Sequence, residues 1–520
     1  MMAAAELDDP AQARLVARLA QALAAQGPVQ AFETHVSRVL VSAEHAWKFK
    51  KPIAPGFLDY TTRERRRRFC DAELALNRRL APELYLDVVA VTGTPEAPRL
   101  GGDGEALDWA LRMRAFAQDG LWDRLAARGA LGAAQVDALV AVLARFHAGA
   151  AVAPADGEFG HPERVRAPLV DSLDVLDTLA AAAPATAALG ELRAWQTRQF
   201  ARLQPVFAAR LAAGRVRECH GDLHLGNVVE IDGRTTVFDC IEFNEDFRWI
   251  DVASEVAFMA MDLHAHGLPA LAHRFVDGWM AACGDYDAAR VLRYYLVHRA
   301  LVRAKVAALR AAQPGAPADA AAEARRYIAL ALQATRAPAP VLLVTHGVSG
   351  SGKTTLTQPL VEGEGALRVR ADVERKRLFG LQPLERPDAA LKTRLYGAEA
   401  GSATYARLLD AAGAVLDGGF VVVLDATFLH RAARDAARRF AAARGARFVL
   451  LDFAADDATL RARVAARGQR GDDASDADLA VLAAQQRSGD PLDAAEAAAA
   501  LRVTPDQAPD WPALLAAPVT

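Results

Sequence analysis

The chain has 520 residues, 52% of them hydrophobic and 24% charged, which predicts about two to four globular domains and excludes global disorder. Its net charge of −3 and pI near 6.5 give no bulk electrostatic reason to expect a nucleic-acid or membrane partner. The four cysteines form no Cys-x-x-Cys pair, which argues against a zinc or disulfide framework. The sequence has no apolar run of about 18 residues and no signal-peptide pattern, so we expect a cytoplasmic protein.

Lysine is rare in this chain, with 7 lysines beside 54 arginines. Three of the seven, Lys48, Lys50 and Lys51, lie within four residues, and another is Lys353. A compact ammonium suits a phosphate group where the broad guanidinium fork of arginine does not fit. The bias therefore marks these lysines as candidate phosphate contacts.

The first part of the chain predicts strands with two flanking helices. The predicted elements are a helix over 11–26, strands over 37–42 and 46–51, a helix over about 61–80, and strands over 88–91 and 107–116. Lys48 and Lys50 are two residues apart, so they share one face of the second strand. The arginine run at 63–68 is typical of a solvated helix face, with anion binding as the alternative. Mostly helices follow from about 118 to 215, which predicts a small β-rich lobe followed by a larger helical lobe.

A polar loop precedes a predicted hairpin at residues 228–238. The loop reads Cys-His220-Gly-Asp222-Leu-His-Leu-Gly-Asn227, and Asp239 closes the second strand of the hairpin. The fold of the hairpin thereby brings two carboxylates and an amide together. Phosphoryl transfer from Mg·ATP needs this set, with one carboxylate at the acceptor hydroxyl and an Asn and an Asp for the metal. The spacing from Asp222 to Asn227 equals that of the protein-kinase catalytic loop.

With these residues, the chain over about 30–310 resembles the aminoglycoside phosphotransferase/choline kinase-like family, whose members are relatives of protein kinases. The resemblance implies an N-terminal domain over 1–335 with an α+β, bilobal, protein-kinase-like fold. The small lobe would cover about 30–116 and the helical lobe about 117–335. The sequence departs from protein kinases in having no glycine between residues 35 and 45, where a glycine-rich loop is expected.

The same resemblance implies roles for individual residues. It makes Asp222 the catalytic residue, Asn227 and Asp239 the Mg²⁺ ligands, His220 a brace of the loop, and Asp251 a structural support of the loop. Lys50 or Lys48 would contact the ATP phosphates and pair with Glu73, and Met113–Phe116 would lie near the adenine.

Other polar residues near this loop have plainer interpretations. We expect His224 to make an accessory hydrogen bond and His147 to be a buried helix residue. Glu242, Glu245 and Asp246 either meet a cationic substrate or cap and solvate a loop, and the sequence leaves both open. Helices are predicted over 288–311 and 319–335, and a Pro/Ala linker over 336–340 is predicted as the domain boundary.

The most specific motif in the chain is Gly347-Val-Ser-Gly350-Ser-Gly352-Lys353-Thr354, which matches the P-loop pattern. An apolar strand at 341–345 precedes it and a short helix at 355–360 follows, which is the context that the motif requires. Glycines allow backbone N–H groups to approach phosphates, and the helix N-terminus adds positive potential. The motif predicts that Lys353 contacts the β- and γ-phosphates of ATP, that Thr354 ligates Mg²⁺ and that Thr355 also borders the nucleotide.

The rest of the predicted second domain, 341–520, alternates strands and helices as a parallel α/β sheet does. The predicted strands are 367–371, 420–424, 447–453 and 500–504, and the predicted helices are 372–378, a long one over 391–417, 430–444 and 457–467. Asp372 follows a strand at its carboxyl end and could act as general base, with Arg375 holding an anionic substrate group. Asp425 ends a strand at the Walker-B-like position and is predicted to order Mg²⁺.

Three arginines, Arg463, Arg467 and Arg470, straddle the Gly/Asp-rich segment 468–478, and this pattern is typical of a mobile lid in small-molecule kinases. Over about 340–505 these features resemble the gluconate kinase, polynucleotide kinase and zeta-toxin group of P-loop kinases. The whole architecture resembles bacterial proteins described as bifunctional aminoglycoside phosphotransferase/ATP-binding proteins.

The sequence therefore predicts two ATP- and Mg²⁺-dependent kinase sites that phosphorylate hydroxyl groups of small molecules. One alternative is a regulatory protein in which one domain only senses or hydrolyses nucleotide. A second alternative, a polynucleotide 5′-hydroxyl kinase in the C-terminal part, is disfavoured because no basic, aromatic-bearing face is visible.

Overall fold

The computed structural model describes residues 6–56, 58–179, 185–470, 473–506 and 509–517. The described residues form two compact units. Unit 1 comprises residues 1–131, 145–160 and 210–255, and unit 2 comprises 132–144, 161–209 and 256–520. Among the described residues, none of the helices is long and apolar enough to cross a membrane.

Unit 1 contains an antiparallel sheet of six strands in the order β1-β2-β3-β6-β4-β5. The strands are β1 (Gln30–Glu33), β2 (Ser37–Val41), β3 (His45–Lys50), β4 (Tyr85–Thr94), β5 (Ala97–Leu100) and β6 (Asp108–Arg114). β1 and β5 lie outside the predicted strands, and β4 is longer than the predicted strand 88–91 at both ends. The predicted strands at 37–42, 46–51 and 107–116 are present.

One helix packs on each face of this sheet. Helix α1 (Asp9–Ala24) packs against a face that includes Trp47 and Phe49, and helix α2 (Arg63–Asn77) contacts β4 and β6. Because side chains alternate along β3, Lys48 and Lys50 point to the opposite face from Trp47 and Phe49. The two lysines therefore lie on the side of the sheet where α2 packs.

Two small antiparallel pairs complete unit 1. β7 (Val216–Glu218) pairs with β10 (Trp249–Asp251), and the hairpin joins β8 (Val228–Ile231) to β9 (Arg234–Val237). The turn residue Asp232 has φ 51°, as the Asp-Gly turn predicts. Helices α3 (Trp122–Ala127), α4 (Ala133–Gly149) and α7 (Glu245–Arg248) contribute residues to this unit, although residues 133–144 of α4 belong to unit 2.

Unit 2 begins with helices. They are α5 (Pro162–Thr178), α6 (Thr186–Ala212), α8 (Val252–Ala265), α9 (Pro269–Cys283), α10 (Ala289–Ala311) and α11 (Ala320–Ala334). The last residues of α6, from 210, and the first residues of α8, up to 255, belong to unit 1. The helices predicted over 288–311 and 319–335 agree with α10 and α11. These helices share unit 2 with the P-loop region, and the linker 336–340 stays a prediction as the domain boundary.

The second half of unit 2 is a parallel sheet of five strands in the order β12-β13-β11-β14-β15. The strands are β11 (Val341–His346), β12 (Leu367–Arg370), β13 (Val422–Asp425), β14 (Arg447–Phe453) and β15 (Leu501–Val503). The central strand β11 is buried over Val341–Thr345 and leads directly into the P-loop. The predicted parallel α/β fold of the C-terminal part is confirmed, as is the α+β organisation of the N-terminal part.

Helices connect and cover the parallel strands. They are α12 (Lys353–Leu356), α13 (Gln358–Glu364), α14 (Ala371–Leu378), α15 (Ala389–Leu395), α16 (Ala398–Asp417), α17 (Arg431–Ala443), α18 (Asp457–Arg470), α19 (Leu479–Ser488), α20 (Ala494–Ala499) and α21 (Trp511–Ala516). The single helix predicted over 391–417 is wrong. The helix is interrupted between α15 and α16, because Gly397 adopts an extended conformation as the N-cap of α16.

Candidate functional site

A buried carboxylate on α2 joins the two lysines of β3. Glu73 has a fully buried side chain, and its two oxygens lie 2.8 Å from Lys48 Nζ and 2.6 Å from Lys50 Nζ. Lys48 Nζ also lies 2.6 Å from Asp239 Oδ1. Lys48 therefore links Glu73 of helix α2 to Asp239, which follows the hairpin. The backbone of Asp239 adopts a left-handed conformation with φ 64°.

Lys50 has different surroundings from Lys48. Its side chain is only 1% exposed, against 16% for Lys48, and its ammonium pairs with Glu242 as well as Glu73. Tyr60 donates its hydroxyl proton to Glu242 at 2.6 Å, and its ring lies beside the Lys50 ammonium. Glu242 is thus an internal ion-pair partner. Neither predicted role, contact with a cationic substrate or loop capping, describes this contact.

The charges of this group outweigh the cost of burying the lysines. Burial by itself lowers the pKa of Lys48, but the carboxylates of Asp239 and Glu73 raise the pKa well above its usual value. Burial likewise lowers the pKa of Lys50, and Glu242 and Glu73 raise it well above the usual value. Both side chains are therefore ammonium ions at neutral pH.

The polar loop places Asp222 and Asn227 side by side. The Asn227 amide nitrogen donates to the Asp222 carbonyl at 2.9 Å and lies 3.3 Å from its carboxylate, which leaves the amide oxygen of Asn227 as the atom suited to a cation. His224 Nδ1 accepts from the Gly226 N–H, so the other ring nitrogen carries the proton and faces Asp222 Oδ2 at 3.4 Å. This is the accessory contact predicted for His224.

His220 ties the loop to the segment that carries Asp239. Its Nδ1 accepts from the Asp222 N–H at 3.3 Å, so Nε2 carries the proton and donates to the Phe238 carbonyl at 2.8 Å. Burial lowers the pKa of His220, which agrees with a neutral ring. The ring of His220 therefore connects the backbone of Asp222 to the residue that precedes Asp239.

A buried glutamate, Glu255, supports this loop through hydrogen bonds to its backbone. Glu255 Oε1 accepts the N–H groups of His220 at 2.6 Å and Gly221 at 2.9 Å, and Oε2 lies 2.7 Å from His147 Nε2. Asp251 pairs with Arg210 at 2.6 Å, and the support of the loop that was predicted for it stays a prediction. His147 is buried in a helix, as predicted, and it contacts the glutamate that holds the loop.

His147, Glu255 and Cys219 form the one group of potential metal ligands detected among the described residues. Both oxygens of Glu255 already accept hydrogen bonds from the loop and from His147, so the group acts as a brace.

Of the arginine run on α2, Arg66 is fully buried against Asp108 at 2.7 Å and is no solvated residue. Arg63 donates to the Ala106 carbonyl, and Arg65 pairs with Asp59.

Lys48, Glu73, Asp222, Asn227 and Asp239 are hereafter the N-terminal site. The fit of this site to Mg²⁺ rests on the chemistry of its donor atoms. The carboxylates of Asp222 and Asp239 and the amide oxygen of Asn227 are hard oxygen donors of the kind that Mg²⁺ prefers.

The P-loop has the backbone that its glycines predict. Gly347 has φ 138°, and a Cβ there would lie 2.4 Å from the Phe453 carbonyl oxygen, so only glycine fits. Gly352 has φ 96° at the cap position from which α12 begins. Within the described part of the chain, the buried Ser351 hydroxyl has no hydrogen-bond partner, which fits a loop built to receive phosphate oxygens.

Lys353, Thr354 and Asp425 converge beyond the end of the central strand. Thr354 Oγ1 donates to Asp425 Oδ2 at 2.6 Å, and this oxygen pair suits Mg²⁺. Lys353 Nζ donates to the carbonyls of Gly347 at 3.0 Å and Val348 at 2.9 Å, so its ammonium lies over the loop. Burial lowers the pKa of Lys353, and Asp425 and Asp372 oppose that effect.

A cavity of about 560 Å³ brings most of the predicted residues together. The predicted site residues that line it are Gly350, Gly352, Lys353, Thr354, Thr355, Asp372, Arg375, Asp425, Arg463, Arg467 and Arg470. Arg375 Nη1 lies 3.2 Å from Asp372 Oδ1, and its guanidinium lies over the Tyr396 ring. Gly347 lies at the base of the loop, where its carbonyl holds Lys353. This cavity with its lining is hereafter the P-loop site.

The segment after α18 is fastened to the cavity by ion pairs. Asp473 pairs with Arg370 at 2.8 Å, and Asp476 pairs with Lys376 at 3.1 Å. Arg467 donates to the Ala477 carbonyl at 3.1 Å, which connects α18 to the same segment. Residues 471 and 472 of the predicted lid lie outside the described residues.

Sequence reasoning missed Glu255 and Arg370, and it named Glu242 without predicting its ion pair with Lys50. Glu255 stands in the apolar run Val-Ala-Ser-Glu-Val-Ala-Phe-Met, and a lone charge in such a run indicates a buried, paired group. Glu242 and Arg370 lie among other charges near the predicted residues, so no local pattern distinguishes them.

One family model and several solved structures are similar to parts of this chain. The AAA_33 family model, an AAA domain, matches residues 342–492. A choline/ethanolamine kinase family protein from Mesorhizobium loti is similar at 14% identity, covering 62% of this chain and 99% of that chain with a TM-score of 0.38. A putative kinase from Chloroflexus aurantiacus is similar at 21% identity, covering 34% of this chain and 93% of that chain with a TM-score of 0.26.

Two mycobacterial proteins are similar along most of the chain. The uncharacterized proteins Rv2004c of Mycobacterium tuberculosis and Mb2027c of Mycobacterium bovis are each 30% identical over 458 residues, which are 88% of this chain and 90% of theirs. An alignment of that length includes at least part of both the antiparallel-sheet region and the P-loop region. The chain carries a P-loop nucleotide-binding domain of the AAA type, and it belongs to the family of these mycobacterial proteins.

Proposed function

We propose that the chain is an ATP-dependent phosphotransferase with two sites, each transferring the γ-phosphoryl group of ATP to a hydroxyl of a small molecule. The observation that carries the proposal is the P-loop site, where a phosphate-binding lysine, a Thr–Asp oxygen pair, the Asp372–Arg375 pair and the three arginines of α18 share one cavity. The N-terminal site supports a second activity through its lysine–glutamate pair and the Asp222–Asn227 loop.

In the P-loop site, the backbone N–H groups of the loop and Lys353 hold the ATP phosphates. Thr354 and Asp425 would hold Mg²⁺, which neutralises phosphate charge when bound. Asp372 accepts the proton of the acceptor hydroxyl while the oxygen of that hydroxyl forms a bond to the γ-phosphorus of ATP. The bond between the γ-phosphorus and the β–γ bridging oxygen breaks, and ADP leaves. The arginines of α18 stabilise the negative charge on the transferring group.

The acceptor end of the same cavity favours an anionic small molecule. Arg375 is three residues after Asp372 on α14, so the two side chains face the same side of the helix. The Arg375 Nε is buried and has no hydrogen-bond partner among the described residues. A carboxylate or phosphate on the substrate would pair with this guanidinium and hold the hydroxyl near Asp372.

In the N-terminal site, Lys48 contacts the ATP phosphates and Asp222 accepts the proton of a second acceptor hydroxyl. Asn227 and Asp239 would hold Mg²⁺. We assign the phosphate contact to Lys48 because its ammonium reaches Asp239, whereas the ammonium of Lys50 is enclosed by Glu73, Glu242 and Tyr60. The transfer again breaks the β–γ bridge and leaves ADP.

The experiment that tests this proposal is a screen of metabolites and aminoglycosides with γ-labelled ATP, run on the full chain. The variants are Asp222→Asn, Lys353→Ala and the double variant, with Lys51→Ala as a matched control. We expect two sets of labelled products, one lost in each single variant and both lost in the double variant. Label transfer that survives in a single variant at the wild-type rate for every product would contradict the role of that site. Binding without any product would favour the regulatory alternative, and labelled oligonucleotides would favour the polynucleotide kinase.

A further inference from the structure

Helix α9 covers the free edge of the P-loop sheet. β12 is the edge strand of that sheet, and α9 packs against β12 and α13 within unit 2. Asp277 of α9 has a buried side chain, and its Oδ1 accepts the backbone N–H of Arg368 on β12 at 2.7 Å. An edge strand leaves such N–H groups without a partner in the sheet. A residue from the segment before the P-loop therefore completes the hydrogen bonding of the P-loop sheet.

The side chain of Arg368 connects this edge to the nucleotide loop. Arg368 Nη1 donates to the carbonyl of Thr354 at 2.7 Å, and Nη2 donates to Gln358 Oε1 at 2.8 Å. Nη2 also lies 3.8 Å from Asp277 Oδ2. The guanidinium thus bridges the Asp277 carboxylate and the backbone of Thr354, the residue whose hydroxyl pairs with Asp425.

Thr354 needs such an anchor because its helix is short. Helix α12 has four residues, too few to be stable without contacts from outside, and Gly352 precedes it in a left-handed conformation. The carbonyl of Thr354 is held by a side chain from β12, and that side chain is paired with a carboxylate from α9.

We propose that Asp277 and Arg368 are a positioning pair that holds the P-loop helix, so that the P-loop site depends on helix α9 of the preceding segment. The proposal rests on the proposed function of the P-loop site. Neither residue lines the cavity. Both act through the Thr354 backbone, and residues 341–520 alone are not a complete nucleotide-binding unit.

The first test needs no nucleotide and uses the full chain. Hydrogen–deuterium exchange of the peptide covering residues 353–358 is compared in wild type, Asp277→Ala and Arg368→Ala. Arg310→Ala is the control, because Arg310 is an arginine of the same unit whose ion pair with Glu323 joins helices α10 and α11. We expect about tenfold faster exchange in the two pair variants and unchanged exchange of this peptide in the control. Unchanged exchange in both pair variants would overturn the proposal.

The second test measures binding of a fluorescent ATP analogue with Mg²⁺. Only the binding that is lost in the Lys353→Ala variant is counted. We expect Asp277→Ala, Arg368→Ala and the double variant to weaken this binding by the same factor, about tenfold, because the residues act as a unit. Asp277→Asn and Arg368→Lys keep the size of each side chain and serve if the alanine variants do not fold. Independent, additive losses in the double variant would overturn the pairing. If wild type shows no Lys353-dependent binding, the proposed function fails, and the exchange measurement still decides the positioning role.

Discussion

Lys48 Nζ lies 2.6 Å from Asp239 Oδ1, although the two residues are separated by almost two hundred positions in the chain. Lys50, two residues along the same strand, pairs with Glu242 in its place. The two lysines that the sequence could not distinguish thus have different partners, and their substitutions should have different effects.

We expect Lys48→Ala to lower the Asp222-dependent kcat by about 100-fold with little change in melting temperature, because it removes a charge at the phosphates. We expect Lys50→Ala to destabilise the protein by about 3–5 kcal/mol, because it leaves the buried Glu242 without a cation and removes one of the two lysines that Glu73 shares. Kinetics and thermal unfolding of the three single-lysine variants check this, with Lys51→Ala unchanged in both. Equal effects of Lys48→Ala and Lys50→Ala on both measurements would contradict the assignment.

The Thr354–Asp425 contact predicts how the P-loop site responds to side-chain chemistry at position 354. We expect Thr354→Val, which keeps the shape but loses the hydroxyl, to lower the Lys353-dependent activity by about 100-fold. Thr354→Ser keeps the hydroxyl and should retain activity within about threefold of wild type. The measurement is activity as a function of Mg²⁺ concentration, and a Val variant as active as the Ser variant would be inconsistent with a metal role for Thr354.

The arginines of α18 provide a prediction with a control on the same helix. Arg467 lines the cavity, whereas Arg461 is exposed and pairs with Asp457 at 2.6 Å. We expect Arg467→Ala to lower kcat by about 100-fold with a smaller change in KM, because its charge serves the transferring phosphoryl group. Arg461→Ala should leave both constants unchanged. If Arg467→Ala changes KM alone, the residue binds ATP and does not stabilise the transfer.

Glu255 predicts a dependence of stability on pH. Burial raises its pKa, but the contacts with His147, His220 and Gly221 lower it more, to a pKa of about 2 from the ordinary 4.5. Because the folded-state pKa is depressed, the stabilisation is fully present above pH 4.5 and is lost as the pH falls toward 2. The shift corresponds to about 3 kcal/mol.

Glu255→Gln cannot titrate, so its deficit in unfolding free energy relative to wild type should be constant above about pH 5 and shrink below it. Denaturant unfolding of both proteins between pH 6 and pH 3 checks this. A deficit that stays constant across that range would show that Glu255 does not hold the loop as a carboxylate.

The parts of the fold that the sequence predicted are those with local signals. The P-loop, its strand and the strand ends that carry Asp372 and Asp425 follow from glycine spacing and apolar runs. β1 escaped prediction because Gln30–Glu33 is exposed throughout and lacks an apolar alternation. The break at Gly397 was missed because a single glycine within a helical pattern often lies inside a helix.

The partners of the site residues could not be predicted because they come from distant parts of the chain. Glu73 is shared by two lysines, Glu255 supports a loop that precedes it by more than thirty residues, and Asp277 contacts a strand of the P-loop sheet. Each is a carboxylate in or beside an apolar stretch, which indicates burial and does not identify the partner.

The scarcity of lysine has a practical consequence. Amine-reactive reagents modify lysine and leave arginine unchanged, so labelling reports on only seven side chains. Lys305 and Lys392 are the more exposed of these, with 23% and 30% of their side chains accessible, whereas Lys48 is at 16% and Lys50 and Lys376 are nearly enclosed. Acylation needs a neutral amine, which favours Lys353 because burial lowers its pKa, so the acylation rate of Lys353, measured by mass spectrometry with Lys305 as an internal standard, would report on the occupancy of the P-loop site.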